Sequence, residues 1–368
     1  MTKKQPSAQE SYAYVSGQHG GYWRHDFIDH NYLYNLYFPP EDFFQHLTKH
    51  IHQLVLSYPV GQQDLAGLVG ELIDQPPERI VVGNGAAELI KIIAGLGRKL
   101  IVPVPSFNEY ANVMADGQVV EFALEAPTFQ LDVDAFAAEA IRCKAGLAVV
   151  VSPNNPTSLL VPKAELIRLA QKLAAHDCIL IVDESFIDFA EHRDQETLAE
   201  EIAQYPNLAI FKSMSKAYGI CGIRIGYMLT ANPEFAAQLR QGLHIWNLNG
   251  FAEEFLRLAP QYKQAFTASC NKVKDDRDKF YAELQTIPGM IVYKPDANYI
   301  FCRLPDYAPS GPVVTEKLFV DHNIYVKHCQ GKTMAESDRY LRIASRTPVE
   351  NTSLVSALRD LVGQEARS

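Results

Sequence analysis

The chain has 368 residues, 47% of them hydrophobic and 21% charged, more than one ordinary domain and enough for a sizeable buried core. Its formal net charge of -9 would repel nucleic acid and anionic membrane surfaces on average, which favours a small-molecule partner. Residues 1–10 (MTKKQPSAQE) lack the apolar stretch of a secretory leader, and nowhere do about 18 apolar residues run together. The six cysteines (Cys143, Cys178, Cys221, Cys270, Cys302, Cys329) are scattered, with no C-x-x-C and no metal-ligand spacing. A cytoplasmic chain with buried, reduced thiols and no bound metal is expected.

The first forty residues are aromatic-rich (GYWRHDFIDHNYLYNLYFPP) and close on a proline pair, which predicts an N-terminal arm over 1–40 that joins the small domain. From about Glu41 to Leu239 short apolar runs alternate with helix-like stretches: RIVVGNG, KLIVPVP, QVVEFAL, GLAVVVSPNNP, CILIVDES, NLAIFKS and GIRIGYML. That rhythm predicts a large α/β domain over 41–245, a mostly parallel seven-stranded sheet wrapped by helices. Beyond about Arg240 the pattern becomes charged and helix-periodic. Strand candidates follow at Met290–Tyr293, Tyr299–Leu304, Ile324–Lys327 and Tyr340–Ala344, predicting a smaller α+β domain over 246–368.

Ligands of such sheets sit where strands run into loops, and five strand ends carry suggestive residues. VVGNGAAELIKII places Gly85 and the amides of Ala86 and Ala87 at a helix start, where a phosphate is welcome, although an ordinary strand-to-helix turn explains the segment equally well. PVPSFNEY offers Phe107 to lie on an aromatic ring, where a core role is the plainer reading. SPNNPTS holds Asn155 beside prolines, suited to bonding a phenolate oxygen. CILIVDES ends a buried strand in Asp183, a carboxylate that is costly there unless paired with a cation such as a protonated pyridine. In IFKSMSKAYGICGIRIGYML, Lys216 lies in a Ser- and Gly-rich loop, with Ser213 and Arg224 spaced to converge on a phosphate. Together these supply what pyridoxal 5′-phosphate (PLP) requires, with Lys216 forming the Schiff base and Asp183 keeping the ring nitrogen protonated. Arg342 in YLRIASRTPVEN invites a substrate carboxylate; a salt bridge within the protein is the alternative.

These segments resemble the fold-type I PLP-dependent aminotransferases, in the branch containing histidinol-phosphate aminotransferase and the threonine-phosphate decarboxylase of cobalamin synthesis. The resemblance covers nearly the whole chain and includes HGG, SYP, GNGAAE, PSFNEY, SPNNPT, DESFIDF, SMSKAYGICGIRIGY and WNLN. It implies a homodimer in which Tyr58 reaches the cofactor phosphate of the partner subunit. It further implies that Ala86, Ala87, Ser213 and Arg224 hold the phosphate, Phe107 stacks on the ring, Asn155 bonds the 3′-oxygen and Arg342 binds the substrate carboxylate. Three departures concern the substrate. Phe186 stands where the branch's aminotransferases usually carry Tyr and the decarboxylase carries Phe. Leu33 replaces a polar position of the arm, and Lys327 stands where relatives with phosphorylated substrates carry Arg. With His19, Leu33 and Lys327 are the candidate substrate contacts. Transamination of an amino acid or amine, phosphorylated or phosphonylated, is the first expectation, and decarboxylation of an O-phospho-amino acid the alternative. The choice depends on which bond at Cα the carboxylate anchor sets perpendicular to the ring. A PLP-binding regulator is disfavoured for want of a basic DNA-binding segment.

Overall fold

A computed structural model describes residues 7–365; the first six, part of the stretch read for a leader, lie outside them. The expected arm contains strand β1 (Ile28–Asp29) and also a helix, Ala8–Ser16, that the aromatic content of this segment did not suggest. Ser7 caps that helix and Glu10 reaches back to the Ser7 amide, a capping box legible as S-x-x-E.

All seven predicted strands of the large lobe form: β2 (Ile80–Asn84), β3 (Leu100–Val104), β4 (Val119–Ala123), β5 (Leu147–Val151), β6 (Ile179–Asp183), β7 (Leu208–Ser213) and β8 (Ile225–Thr230). They pair in the order β2-β8-β7-β6-β5-β3-β4, with β8 antiparallel to both neighbours and every other pair parallel. Alternate residues of one strand enter opposite cores. Val82, Ile210 and Leu229 pack with Leu65 and Val69 of helix Gln62–Ile73, whereas Val81, Phe211 and Met228 pack with Leu89 and Ile93 of helix Gly85–Gly95. A strand covered on both faces has no polar side to show, which is why these segments read as unbroken apolar runs.

The small lobe builds a four-stranded antiparallel sheet from β9 (Ile291–Val292), β10 (Tyr299–Arg303), β12 (Lys327–His328) and β13 (Tyr340–Ala344), ordered β12-β13-β10-β9. The single strand expected over 324–327 is divided. β11 (Ile324–Tyr325) pairs with β1 of the arm, and β12 pairs with β13 after Val326. Two sheets therefore share one short stretch, and the arm is stitched to the small lobe. Long helix Lys263–Leu284 and helices Gly311–His322 and Pro348–Glu365 cover the sheet, burying Phe280, Leu318, Leu341 and Leu354. Among the described residues no helix is long and apolar enough to cross a membrane. Cys178, Cys270, Cys302 and Cys329 are buried as expected, but Cys143 is partly exposed and Cys221 exposed, because it opens a turn between two strands.

Candidate active site

The C-terminal ends of the parallel strands deliver most of the expected residues to one cleft between the lobes. Lys216 is in a helical turn, Met214–Ala217, between β7 and β8, where a loop was expected. The arm fixes that turn: the Asn35 amide donates to the Lys216 carbonyl at 2.9 Å, and Asn35 Nδ2 donates to the Ala217 carbonyl at 2.9 Å. Gly219 ends the turn at φ +64°, and a Cβ there would stand 2.1 Å from the Phe38 carbonyl oxygen, so only glycine lets the arm approach. The Lys216 amine lies below the ordinary lysine range, chiefly through burial; Cys221 opposes the shift, and the charges of Arg342 and Arg224 add to it.

Asp183 is buried and accepts three hydrogen bonds, from Tyr110 Oη (2.8 Å), Ser185 N (3.0 Å) and Ser185 Oγ (2.5 Å). Burial raises its pKa against those bonds, and among the described residues no cation forms an ion pair with it. Ser185 Oγ also accepts from the Ser213 amide at 2.9 Å, which joins the carboxylate to the next strand end. Arg224, at φ +67°, extends Nη1 to Ser215 Oγ and the Cys221 carbonyl, each at 3.1 Å. Gly85, at φ +70°, lies directly beside it: a Cβ at Gly85 would fall 2.2 Å from Arg224 Nη2. Ala86, half-buried, and Ala87, exposed, begin the helix whose free amides open next to this guanidinium.

Arg342 in β13 donates to Asn155 Oδ1 (3.1 Å), the Asn31 carbonyl (2.7 Å) and Asn31 Oδ1 (3.1 Å), with Tyr299 beneath it at 5.9 Å. The bond to Asn155 settles that amide's orientation: its oxygen faces Arg342 and its NH2 is left to donate elsewhere. Phe186 is buried edge-on to Tyr299, so no hydroxyl is available at that position. Phe107 is exposed, edge-on to Tyr110. Lys327 is the β12 partner of Arg342, and burial, then Arg342, hold its amine below the ordinary value.

Other expectations fare differently. Leu33 is buried in the main core, and the arm's polar contact with Arg342 comes from Asn31 two residues earlier. His19 stands exposed in a bend. Tyr58 is also exposed, stacked on Trp246 at 4.2 Å. Sequence reasoning missed Tyr110, Ser185, Ser215, Asn31 and Lys332. Tyr110 and Ser185 lay inside quoted motifs, whereas nothing local marks Lys332. Its amine, brought down to about 8 by burial and then by Arg342, reaches the Ser106 carbonyl and Asn108 Oδ1.

Residues 53–358 match the family model described as aminotransferase class I and II. The chain belongs to that family. Its fold is that of the fold-type I PLP enzymes and its cofactor is pyridoxal 5′-phosphate. The residues fit that group: a buried carboxylate without a cation suits a ring N–H, a desolvated amine suits an aldehyde, and the glycine-backed Arg224 suits a phosphate. Among similar proteins, the CMP-5′-(3-aminopropyl)phosphonate synthase of Streptomyces rubellomurinus is 41% identical over 96% of this chain. This chain spans only 56% of that protein, little more than half its length. The L-serine phosphate decarboxylase of Sulfurospirillum multivorans is 30% identical, over 86% of this chain and 82% of its own. The crystal structure of histidinol-phosphate aminotransferase from Clostridium acetobutylicum superposes with a TM-score of 0.82 at 26% identity, covering 92% of this chain and 99% of that one.

Proposed function

We propose that this PLP-dependent enzyme removes the α-carboxylate, as CO2, from an amino acid whose side chain carries a phosphate or phosphonate. The observation that carries the substrate half is the pairing of Arg342 with Lys327, with the charge of Lys332 close beside them. Burial and then Arg342 lower both lysines, and among the described residues none of the three has a carboxylate within salt-bridge distance. Cations gathered without anions are self-repelling, and a ligand bearing two anionic groups relieves them. The decarboxylation half is supported by two relatives. One is named as a decarboxylase of a phosphorylated amino acid. The other is named for an aminopropylphosphonate, whose terminal CH2–NH2 is the group left when an α-amino acid loses CO2. Phe186 agrees, since it matches the decarboxylase in the resemblance noted above.

When bound, the cofactor supplies an electron sink for a bond broken at the substrate Cα. Asp183, steadied by Tyr110 and Ser185, would hold the ring N–H, Asn155 would donate to the 3′-oxygen and Phe107 would cover the ring. Arg342 orients the carboxylate and Lys327 takes the second anion. Lys216 returns a proton to Cα once CO2 has left, so the step consumes no oxidant and leaves an amine. The second reading, transamination, was the first expectation from sequence and is favoured by the family model and the likeness to histidinol-phosphate aminotransferase. There Lys216 would move the Cα proton instead.

A second copy of the chain is the natural cover for Tyr58, Trp246, Ile245, Leu56 and Val55, large side chains left exposed together around the Tyr58–Trp246 stack. Tyr58 would then serve the partner's site. The deciding experiment incubates the PLP-loaded protein with O-phosphoserine, O-phosphothreonine and 2-amino-4-phosphonobutyrate while trapping CO2. Stoichiometric CO2 and amine support decarboxylation. A keto acid without CO2 establishes transamination and overturns it.

A further inference from the structure

Lys332 belongs to a small-lobe loop between β12 and β13, more than two hundred residues from the loop it touches. Its ammonium donates to the carbonyl of Ser106 and, at 2.7 Å, to Oδ1 of Asn108. These are the residues immediately before and after Phe107. The same Ser106 donates its hydroxyl to Asn154 Oδ1 at 2.9 Å, and Asn154 Nδ2 donates to the Pro105 carbonyl at 2.9 Å. Tyr299 Oη donates to the Asn154 carbonyl at 2.7 Å. The segment bearing Phe107 is thus held on one side by the turn that carries Asn155 and on the other by a side chain from the opposite lobe.

The loop around Lys332 is itself anchored across the cleft. Thr333 Oγ1 donates to Glu121 Oε1 of β4 at 3.3 Å, and Met334 packs on the cluster of Leu124, Phe129, Phe301 and Tyr340. Nothing in this arrangement neutralises the lysine. Its two acceptors are uncharged, and Arg342 and Lys327 both oppose its charge. A cation is therefore held half-buried for the sake of two hydrogen bonds that flank one aromatic ring, and a charged donor makes such bonds stronger than a neutral one would.

We infer that Lys332 is a positioning residue that clamps both flanks of Phe107, so that seating the small lobe fixes the ring over the cofactor. This rests on the reading of Phe107 as the residue that covers the cofactor ring. Lys327 and Arg342 leave the same lobe on adjacent strands, so a substrate anion bound there draws Lys332 and the Phe107 loop along with it. Lys332 touches no reacting atom. Its effect is on how tightly the cofactor is packed and how often the cleft is correctly closed.

The test compares PLP-loaded wild type with Lys332→Met, Lys332→Arg and Asn108→Ala, without substrate. Three quantities are read: release of PLP into a trapping apoenzyme, circular dichroism in the cofactor's visible band, and amide hydrogen exchange over residues 105–112. Lys332→Met should release PLP at least about tenfold faster, lose visible dichroism and exchange faster over 105–112, and Lys332→Arg should recover most of each. Asn108→Ala should move all three the same way by less. With substrate, kcat should fall more than KM rises. Lys332→Met with wild-type release and dichroism overturns the inference, as does a defect confined to KM, which would make Lys332 a plain substrate contact. If Lys332→Met does not fold, unchanged release and exchange in Asn108→Ala overturn it instead. Because these readouts need no substrate, failure to form CO2 would sink the proposed reaction and leave them standing.

Discussion

Gly85→Ala tests the proposed phosphate cup with one methyl group. The new Cβ would lie 2.2 Å from Arg224 Nη2 and 2.7 Å from its Cζ, far inside contact distance, so the guanidinium must swing away. Swinging breaks its hydrogen bonds to Ser215 Oγ and the Cys221 carbonyl, which hold it in place. Two costs result, and they separate experimentally. Forcing alanine into the left-handed region costs about 1–2 kcal/mol, with or without cofactor, and appears as lost stability of the apo protein. Losing the Arg224 contact costs about 1.5–3 kcal/mol only when the phosphate is present, a roughly 10- to 150-fold weaker Kd for PLP. Titrating apo protein with PLP by fluorescence quenching measures the second, and denaturant unfolding measures the first. Lowered apo stability with PLP affinity within about twofold of wild type would refute the placement of the phosphate at Arg224.

Asp183→Asn should retain PLP but lower kcat by about a hundredfold or more, because a neutral amide cannot hold the ring N–H protonated; near-normal turnover in steady-state assays would remove Asp183 from that role. Lys332 carries its charge below pH about 8 and loses it above, while the unfolded chain keeps that proton up to the ordinary lysine range. Its burden on folding is therefore greatest below about 8 and fades as pH rises. In the pH–rate profile kcat/KM should decline above about 8, and Lys332→Arg, which stays charged, should shift that limb upward. Arg342, Lys327 and Cys329 are the groups acting on it, and unchanged limbs in both proteins would exclude Lys332 as their source. Ile245→Glu puts a charge on the exposed patch beside Trp246 and should turn a dimer into monomers by sedimentation velocity; an unaltered dimer would place the interface elsewhere.

The large lobe was legible because its strands are mostly parallel and covered on both faces, so each is an apolar run with a polar end. Residues proposed to act at those ends, such as Asp183 and Lys216, could be singled out by position alone. What escaped has no local signature. Lys332 follows a glycine in an irregular segment, and its meaning comes only from the loop more than two hundred residues earlier that the fold lays against it. The split of 324–327 into two strands reflects competition between two partners for one apolar stretch, which periodicity does not report. Leu33 was judged by its place in a family motif, yet burial in the core governs it and hands the contact with Arg342 to Asn31. The arm's helix shows the opposite failure, since its capping box was present in the sequence and was outweighed by the aromatic residues around it.

The arm also constrains the order in which the molecule can assemble. His30 exchanges hydrogen bonds with Ala344 across 314 positions, and its amide donates to the Tyr325 carbonyl. Asn31 binds Arg342, and Asn35 holds the turn of Lys216. The arm thus has partners 314 and 311 residues away, and contacts so distant in sequence are slow to form. The large sheet does not need β13, but the turn carrying Lys216 and the guanidinium of Arg342 both take hydrogen bonds from or to the arm. Capture of the cofactor in its finished geometry is therefore expected to wait on docking of the arm.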